Sequence, residues 1–533
     1  MKKNSFLEGA FIATFAIFLT KFIGIIYVIP FYKIVGTQGG ALYGYAYNIY
    51  NLFLIISSAG IPLAISKLVS EYNALEKHKE KEYLYQIARK IIFIFSTVSF
   101  LICFIFAKDI AGLFNVDGGH SITDIAFVIR CVSFAILIVP LLSISKGFLQ
   151  GHGYIKPASY SQILEQIVRV IIIIFGSFVA LKIFNLELRY GIGIAVFGAA
   201  VSGLVALLYL LNKIKLIYIK TDEEKEFAKE VKKDIAKKLL MYSLPFIIIN
   251  IANSLYNTTD MIILNNGLEL VGYSGPDTET ISSIFTTWGH KLNQIITSIA
   301  TGVAISLIPS ISENRAKKDY KGINDKFNKI FLIFLYIALP LALFMSIFSR
   351  EIWTIFYGAN EFGPLVFKFL VITAAIDALY IMICNGLQGL NKTKLIYVSV
   401  ISGLLINICL DLPLILLFNR LDIYPFYGAI LATIIGYVVT LTISMVTLKK
   451  EFKLDFQETI NKIPKLFLTY TLLIVLALIY SVLIKNVINK IYLILLIAVI
   501  GIVFVIIYYL INKKEIEEIL DKNIKDLIRK KRD

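Results

Sequence analysis

LQGHGYIKPASYSQI, residues 149–163, returns in altered form as LQGLNKTKLIYVSVI, residues 387–401. Both begin on Leu-Gln-Gly, both carry a basic turn, and both leave one long apolar run to enter another. A run of ~20 apolar residues at ~1.5 Å each crosses the ~30 Å hydrocarbon layer. Such a turn between two runs reads as the short connection between two membrane-spanning helices. A looser echo links PLAISKLVSEY (62–72) with VAISLIPSISE (303–313). Each motif follows the fourth or the second apolar run of its own half. A repeat of six spans keeps its orientation, so a pseudo-twofold axis along the membrane normal is expected to relate the halves.

Composition supports this reading. The chain has 533 residues, 58% hydrophobic and only 17% charged, with a mean hydropathy of +0.77. That excludes a soluble fold and points to an all-α polytopic membrane protein. Fourteen transmembrane helices are expected, near 8–31, 43–69, 88–107, 122–148, 158–181, 191–211, 239–264, 281–310, 330–349, 363–389, 395–418, 426–447, 464–484 and 491–511. They group as an N-terminal lobe (1–212), a basic amphipathic linker (213–238), a C-terminal lobe (239–448), two extra helices (449–511) and a basic tail (512–533). The net charge of +16 lies mostly in loops on one side. That is the positive-inside pattern rather than a nucleic-acid surface, and it puts both termini in the cytoplasm. MKKNSFLEGAF lacks a small-residue cleavage site, so the first run is expected to stay as a helix. Cys103, Cys131, Cys384 and Cys409 show no metal or pairing spacing and read as packing residues. No Walker loop, zinc spacing or nucleophile elbow is present, so the chain reads as a transporter and not an enzyme.

KFIGIIYVIP (21–30), GIPLAISKLVSEY (60–72), GFLQGHGYIKPASYSQILEQIVRV (147–170) and LQGLNKTK (387–394) carry a family resemblance. The chain resembles the MOP exporter superfamily (multidrug/oligosaccharidyl-lipid/polysaccharide), in the branch of stage V sporulation protein B and the MurJ-like lipid II flippases. The resemblance implies two six-helix lobes around a central cavity that opens by alternating access. It implies a bacterial plasma-membrane flippase for the undecaprenyl-diphosphate-linked peptidoglycan precursor, lipid II. The last two helices would form a groove for the lipid tail. The alternatives are a flippase for another lipid-linked glycan, an ion-coupled multidrug exporter and a non-transporting scaffold. As partners it implies the lipid substrate and membrane lipids, and it leaves room for the cell-wall synthesis or division machinery. A chain with an internal repeat encloses its own cavity, so a monomer is expected to suffice.

Three constellations could carry the work. Lys21, Arg130, Arg169 and Lys291 lie deep in spans against one acid, Glu165. Desolvated cations complement a diphosphate through charge-assisted bonds. By resemblance, Lys21 in LTKFIG and Lys291 in GHKL stand where the family carries arginines. A second first-span arginine of the family is absent, with Tyr27 or Val28 in its place. The competing reading is that the cations pair with acids or sit at wet helix ends. It is strongest for Arg169, four residues after Glu165. Lys67 and Lys146 lie near cytoplasmic span ends and read as snorkelling side chains. Asp260, Asn407, Asp411 and Thr433 form the second group, an oxygen-rich set that the resemblance implies as a sodium site. The alternative is that the aspartates are protonated or paired with lysines, and Asp377 is a further acid without an assigned role. The third group is Gly60, Pro62, Gly302 and Pro309, bend-permitting residues at equivalent places in the two lobes. They read as gates, or as sites of close helix packing.

Overall fold

The computed structural model describes residues 6–58, 60–114, 117–216, 229–484 and 490–519. All regular structure among them is helical. The contacts divide the chain into two compact units: residues 1–291 with 411–425, and residues 292–410 with 426–533.

The first unit holds α1 (Phe6–Ile26), α2 (Val28–Ser58), α3 (Ile61–Ala74), α4 (His78–Ile105), α5 (Ala107–Gly112), α6 (Ile122–Gly151), α7 (Ile155–Ile171), α8 (Leu188–Lys215), α9 (Lys229–Leu270), α10 (Gly275–Ser283) and the start of α11 (Gly289–Ala316). Its core is apolar, with Leu68, Leu84, Leu142, Leu210 and Leu239 fully buried from α3, α4, α6, α8 and α9. The second unit holds the rest of α11, then α12 (Tyr320–Ile333), α13 (Leu339–Ile347), α14 (Ser349–Tyr357), α15 (Phe362–Gly389), α16 (Thr393–Arg420) up to Leu410, α17 (Phe426–Phe452), α18 (Gln457–Ile484), α19 (Lys490–Ile511) and α20 (Lys513–Ile519).

Fourteen spans were expected; nine helices among the described residues are long and apolar enough to cross a membrane. The α1/α2 pair makes a tenth if counted as one broken span, bent by 48°. The first span is thus not one helix over 8–31, because the chain breaks at Tyr27. The expected helix over 43–69 is broken as well. α2 ends at Ser58, and Gly60 lies in the left-handed region with φ 76°. Pro62 then sits in the first turn of α3, where its missing N–H costs nothing. Residues 229–238 of the expected linker run straight into the next span as part of the 42-residue α9. Ile235 and Leu239 bury into the core just described, which is why this stretch is not a separate interfacial helix. Residues 217–228 of that linker and 520–533 of the expected tail lie outside the described residues.

The repeat that opened the sequence reading has a backbone counterpart. After α6, Gly153 takes φ 82°, its N–H donates to Gln150 O, and the next N–H donates to Leu149 O. After α15, Asn391 takes φ 56°, its N–H donates to Gln388 O, and the next N–H donates to Leu387 O. This is one helix-ending motif written twice. In each unit the last glycine of the earlier helix also accepts from a neighbouring helix. Gly151 O accepts from Asn73 Nδ2 at 3.3 Å, and Gly389 O from Ser312 Oγ at 3.0 Å.

Close packing in the first unit depends on small residues. A Cβ on Gly147 would lie 2.3 Å from the Pro62 carbonyl oxygen, a backbone atom that cannot step aside. Gly147→Ala is expected to cost about 1–3 kcal/mol and to lower the melting temperature of the purified protein. Gly112→Ala, whose Cβ would meet nothing within 4 Å, is expected to melt like the wild type in the same scan.

Candidate functional site: two cations bridged by Glu165

α6 and α7 leave the repeat turn side by side. This places Lys146, just before the end of α6, across from Glu165 in the middle of α7. Lys146 Nζ donates to Glu165 Oε2 at 2.8 Å, and Arg169 donates to the other oxygen, Oε1. All three side chains are mostly buried, at 21%, 13% and 21% exposure for Lys146, Glu165 and Arg169. Two cations against one anion leave a formal +1. The sequence reading paired Arg169 with Glu165 correctly but left Lys146 to snorkel; a Glu165 carboxylate two turns inside α7 gives the lysine a partner instead.

α1 lies along α7, where a Cβ on Gly24 would sit 3.4 Å from Gln166 Nε2. Lys21, one turn before Gly24, is half-buried on this helix. Lys291 lies over the ring of Tyr27, with Nζ 5.6 Å from its centroid, within cation–π range. From Tyr27 an aromatic row leads back toward the bridged cations. The Tyr27 and Tyr43 hydroxyls are 3.4 Å apart. The Tyr43 and Tyr47 rings stack at 4.4 Å, and Tyr47 meets Tyr50 edge-on at 5.6 Å. Tyr43, Tyr47 and Tyr50 interact electrostatically with Arg169. These tyrosines were not singled out from the sequence. Their signal was there: in YGYAYNIY, positions 43, 47 and 50 follow the i, i+4, i+7 spacing of one helix face.

Trp288 backs this row. It packs against Phe31 at 5.8 Å and Tyr32 at 5.0 Å, on a π-helical stretch (Ile284–Trp288) joining α10 to α11. Gly40 makes room for it, since a Cβ there would lie 2.1 Å from Trp288 Nε1. Thr287 Oγ1 donates to Gly40 O at 2.9 Å, fixing the register. Extra residues of this kind re-aim side chains, and they concentrate at functional sites.

Arg130 goes elsewhere. Its Nε donates to Phe104 O at 3.3 Å, and its guanidinium lies 5.8 Å from the Phe104 ring centroid. The contact joins α6 to α4 and does not include the bridged cations.

Of the oxygen-rich set, Asp260 on α9 and Asp411 lie in the first unit and interact electrostatically. The helices carrying them meet closely, as Gly267 faces Ile415 and Leu412. Asp411 is fully buried, and both of its carboxylate oxygens lack a hydrogen-bond partner. Asn407, in the second unit, is fully buried with neither side-chain polar atom bonded, and Thr433 donates to Ala429 O at 3.0 Å. Buried oxygens of this kind fit a hard cation. No group of three or more His, Cys, Asp or Glu side chains gathers among the described residues. Asp377 on α15 is partnered by Tyr437 of α17. Gly302 and Pro309 lie within α11, and their side chains lie outside the described ones.

Known proteins resemble this chain over most of its length. Residues 6–272 match the family described as polysaccharide biosynthesis protein, and residues 286–412 match MatE. The lipid II flippase MurJ of Bacillus subtilis is 31% identical over 495 residues, covering 91% of this chain and 88% of that protein. The chain belongs to the MurJ-like branch of the MOP superfamily. Stage V sporulation protein B of the same organism is 24% identical and covers 90% of each chain. Among solved structures, a lipid II flippase MurJ in an inward closed conformation matches with a TM-score of 0.66 at 18% identity, over 94% of this chain and 99% of that one. An inward-facing MATE multidrug resistance transporter matches with a TM-score of 0.63 at 13% identity, over 81% and 94%. These likenesses support a multi-pass membrane transporter fold shared across the superfamily.

Arg130→Ala removes a charged hydrogen bond and a ring contact that tie α6 to α4. It is expected to cost about 1.5–3 kcal/mol, seen as a lower melting temperature, while transport per folded molecule stays within about twofold of wild type.

Proposed function

We propose that the protein moves lipid II, an undecaprenyl-diphosphate-linked peptidoglycan precursor, from the cytoplasmic to the outer leaflet by alternating access. The observation that carries this reading is the buried bridge of Lys146, Glu165 and Arg169, in a chain 31% identical to a lipid II flippase over 91% of its length. Moving a diphosphate through hydrocarbon is costly because each charge loses its hydration. Cations already held at span depth offset that loss with charge-assisted bonds. Lys21 and Lys291 extend the positive surface beyond the bridge, and the tyrosine row offers hydroxyls and ring faces to a polar headgroup. Polyprenyl and sugar groups need no covalent chemistry here.

The tail is proposed to stay in lipid beside the last helices. In the second unit, Pro340, Phe344, Tyr470 and Phe504 line an apolar crevice of α13, α18 and α19. Sodium is proposed as the coupling ion, with Asp260 and Asp411 as its carboxylate ligands; Asn407 and Thr433 stay as the resemblance gives them. The lysine-rich loops support cytoplasmic termini. The wall-synthesis machinery is a proposed neighbour, and a monomer the proposed working form.

The test uses bacterial cells depleted of their own lipid II flippase. Lipid II cleavable by an externally added lipid II-degrading enzyme is measured after expressing this protein. Wild type and Lys21→Arg are expected to restore cleavage, and Lys21→Ala to reduce it at least about tenfold at equal membrane abundance, the scale of one charge-assisted bond. A fully active Lys21→Ala protein contradicts the role given to that lysine. No rescue by a well-inserted wild type moves the substrate to another lipid-linked glycan. In the same cells, Asp411→Asn is expected to abolish any dependence of cleavage on external sodium.

A further inference from the structure

Glu165 spends both carboxylate oxygens on cations from two helices, Lys146 on α6 and Arg169 on its own α7. Arg169 keeps its Nε buried without a hydrogen-bond partner. A buried donor left unpaired carries its full desolvation cost. The guanidinium is therefore only partly satisfied by the carboxylate. Tyr43, Tyr47 and Tyr50 interact electrostatically with it, and a tyrosine hydroxyl can donate to an anion as well as accept from a cation. A purely structural clamp between α6 and α7 does not call for an arginine with a donor to spare. A phosphate group, with more acceptor oxygens than a carboxylate and a matching fork geometry, would use it.

We propose that Glu165 is a built-in counter-ion, holding in the empty protein the anion position that the substrate's phosphates take over at Arg169. The proposal rests on the diphosphate substrate of the preceding section. Without an acid at this place, Lys146 and Arg169 would stand buried as two bare cations. With it, the pair is stable when empty, and Arg169 is released to an incoming phosphate while Lys146 stays on Glu165. The counter-ion also limits how tightly the headgroup is held, which suits a carrier that must let go. No step breaks or forms a covalent bond.

The experiment measures binding of farnesyl diphosphate to the purified full-length protein by calorimetry, with farnesol as the tail-only control. Glu165→Gln removes the competing charge and is expected to bind farnesyl diphosphate at least about tenfold tighter than wild type, with farnesol unchanged. Glu165→Asp, too short to reach both cations, is expected to tighten binding to a smaller degree and guards against a misfolded glutamine variant. Arg169→Ala is expected to weaken binding at least about tenfold. Unchanged or weaker binding in both Glu165 variants, equal tightening toward farnesol, or no binding by the wild type overturns the proposal. The two readings fail separately. Loss of binding in Lys21→Ala with Glu165→Gln unchanged removes the counter-ion and keeps the diphosphate substrate. Tightening in Glu165→Gln without lipid II rescue in cells keeps the counter-ion and removes lipid II.

Discussion

Glu165 accepts from Lys146 and Arg169 at once, so two cations can stand at span depth with one anion shared between them. Breaking such a buried arrangement from one side typically costs about 3–5 kcal/mol, because a bare charge is left behind. α6 and α7 are therefore held at a fixed spacing by charge, while the helix-ending turn at Gly153 fixes the angle at which they part. α1 lies on α7, and Tyr43, Tyr47 and Tyr50 of α2 interact electrostatically with Arg169. The aromatic row continues to Tyr27, and Lys291 lies over its ring.

Much of the fold was legible in the chain. The Leu-Gln-Gly turns were readable because a left-handed glycine or asparagine after a helix is a local requirement, and both units meet it in the same way. The pairing of Glu165 with Arg169 was readable from their four-residue spacing. Lys146 was not, because its partner lies on another helix and distance from a span end says nothing about what faces it. Gly60 and Pro62 were visible as bend-permitting residues, yet a count of apolar residues carried the span straight through them. Hydropathy has no term for backbone handedness, so the break at φ 76° was missed. The π-helical stretch that sets Trp288 against Gly40 is a property of packing. No spacing rule along the sequence would have shown it.

A shared plan with multidrug transporters raises the question of what separates a lipid flippase from a drug exporter on one fold. Fold alone does not decide it. The proposed reading rests on cations, Lys146 and Arg169 held by Glu165 with Lys21 and Lys291 on neighbouring helices, whose charge would suit an anionic headgroup and disfavour a cationic one. Hydroxyl-bearing rings beside the cations add contacts suited to sugars without demanding one sequence of them. Asp260 and Asp411 lie on α9 and α16, away from the α6–α7 bridge in the chain.

The most direct measurement reconstitutes the purified protein into liposomes containing a fluorescent, diphosphate-linked polyprenyl glycan. A membrane-impermeant quencher is then added outside. Without protein, only the outer-leaflet fraction is quenched. The account predicts that the wild type makes nearly all of the label accessible, that Lys21→Ala returns the protected fraction, and that a cationic dye does not compete. Full protection with correctly inserted wild type, or equal competition by the dye, would contradict it.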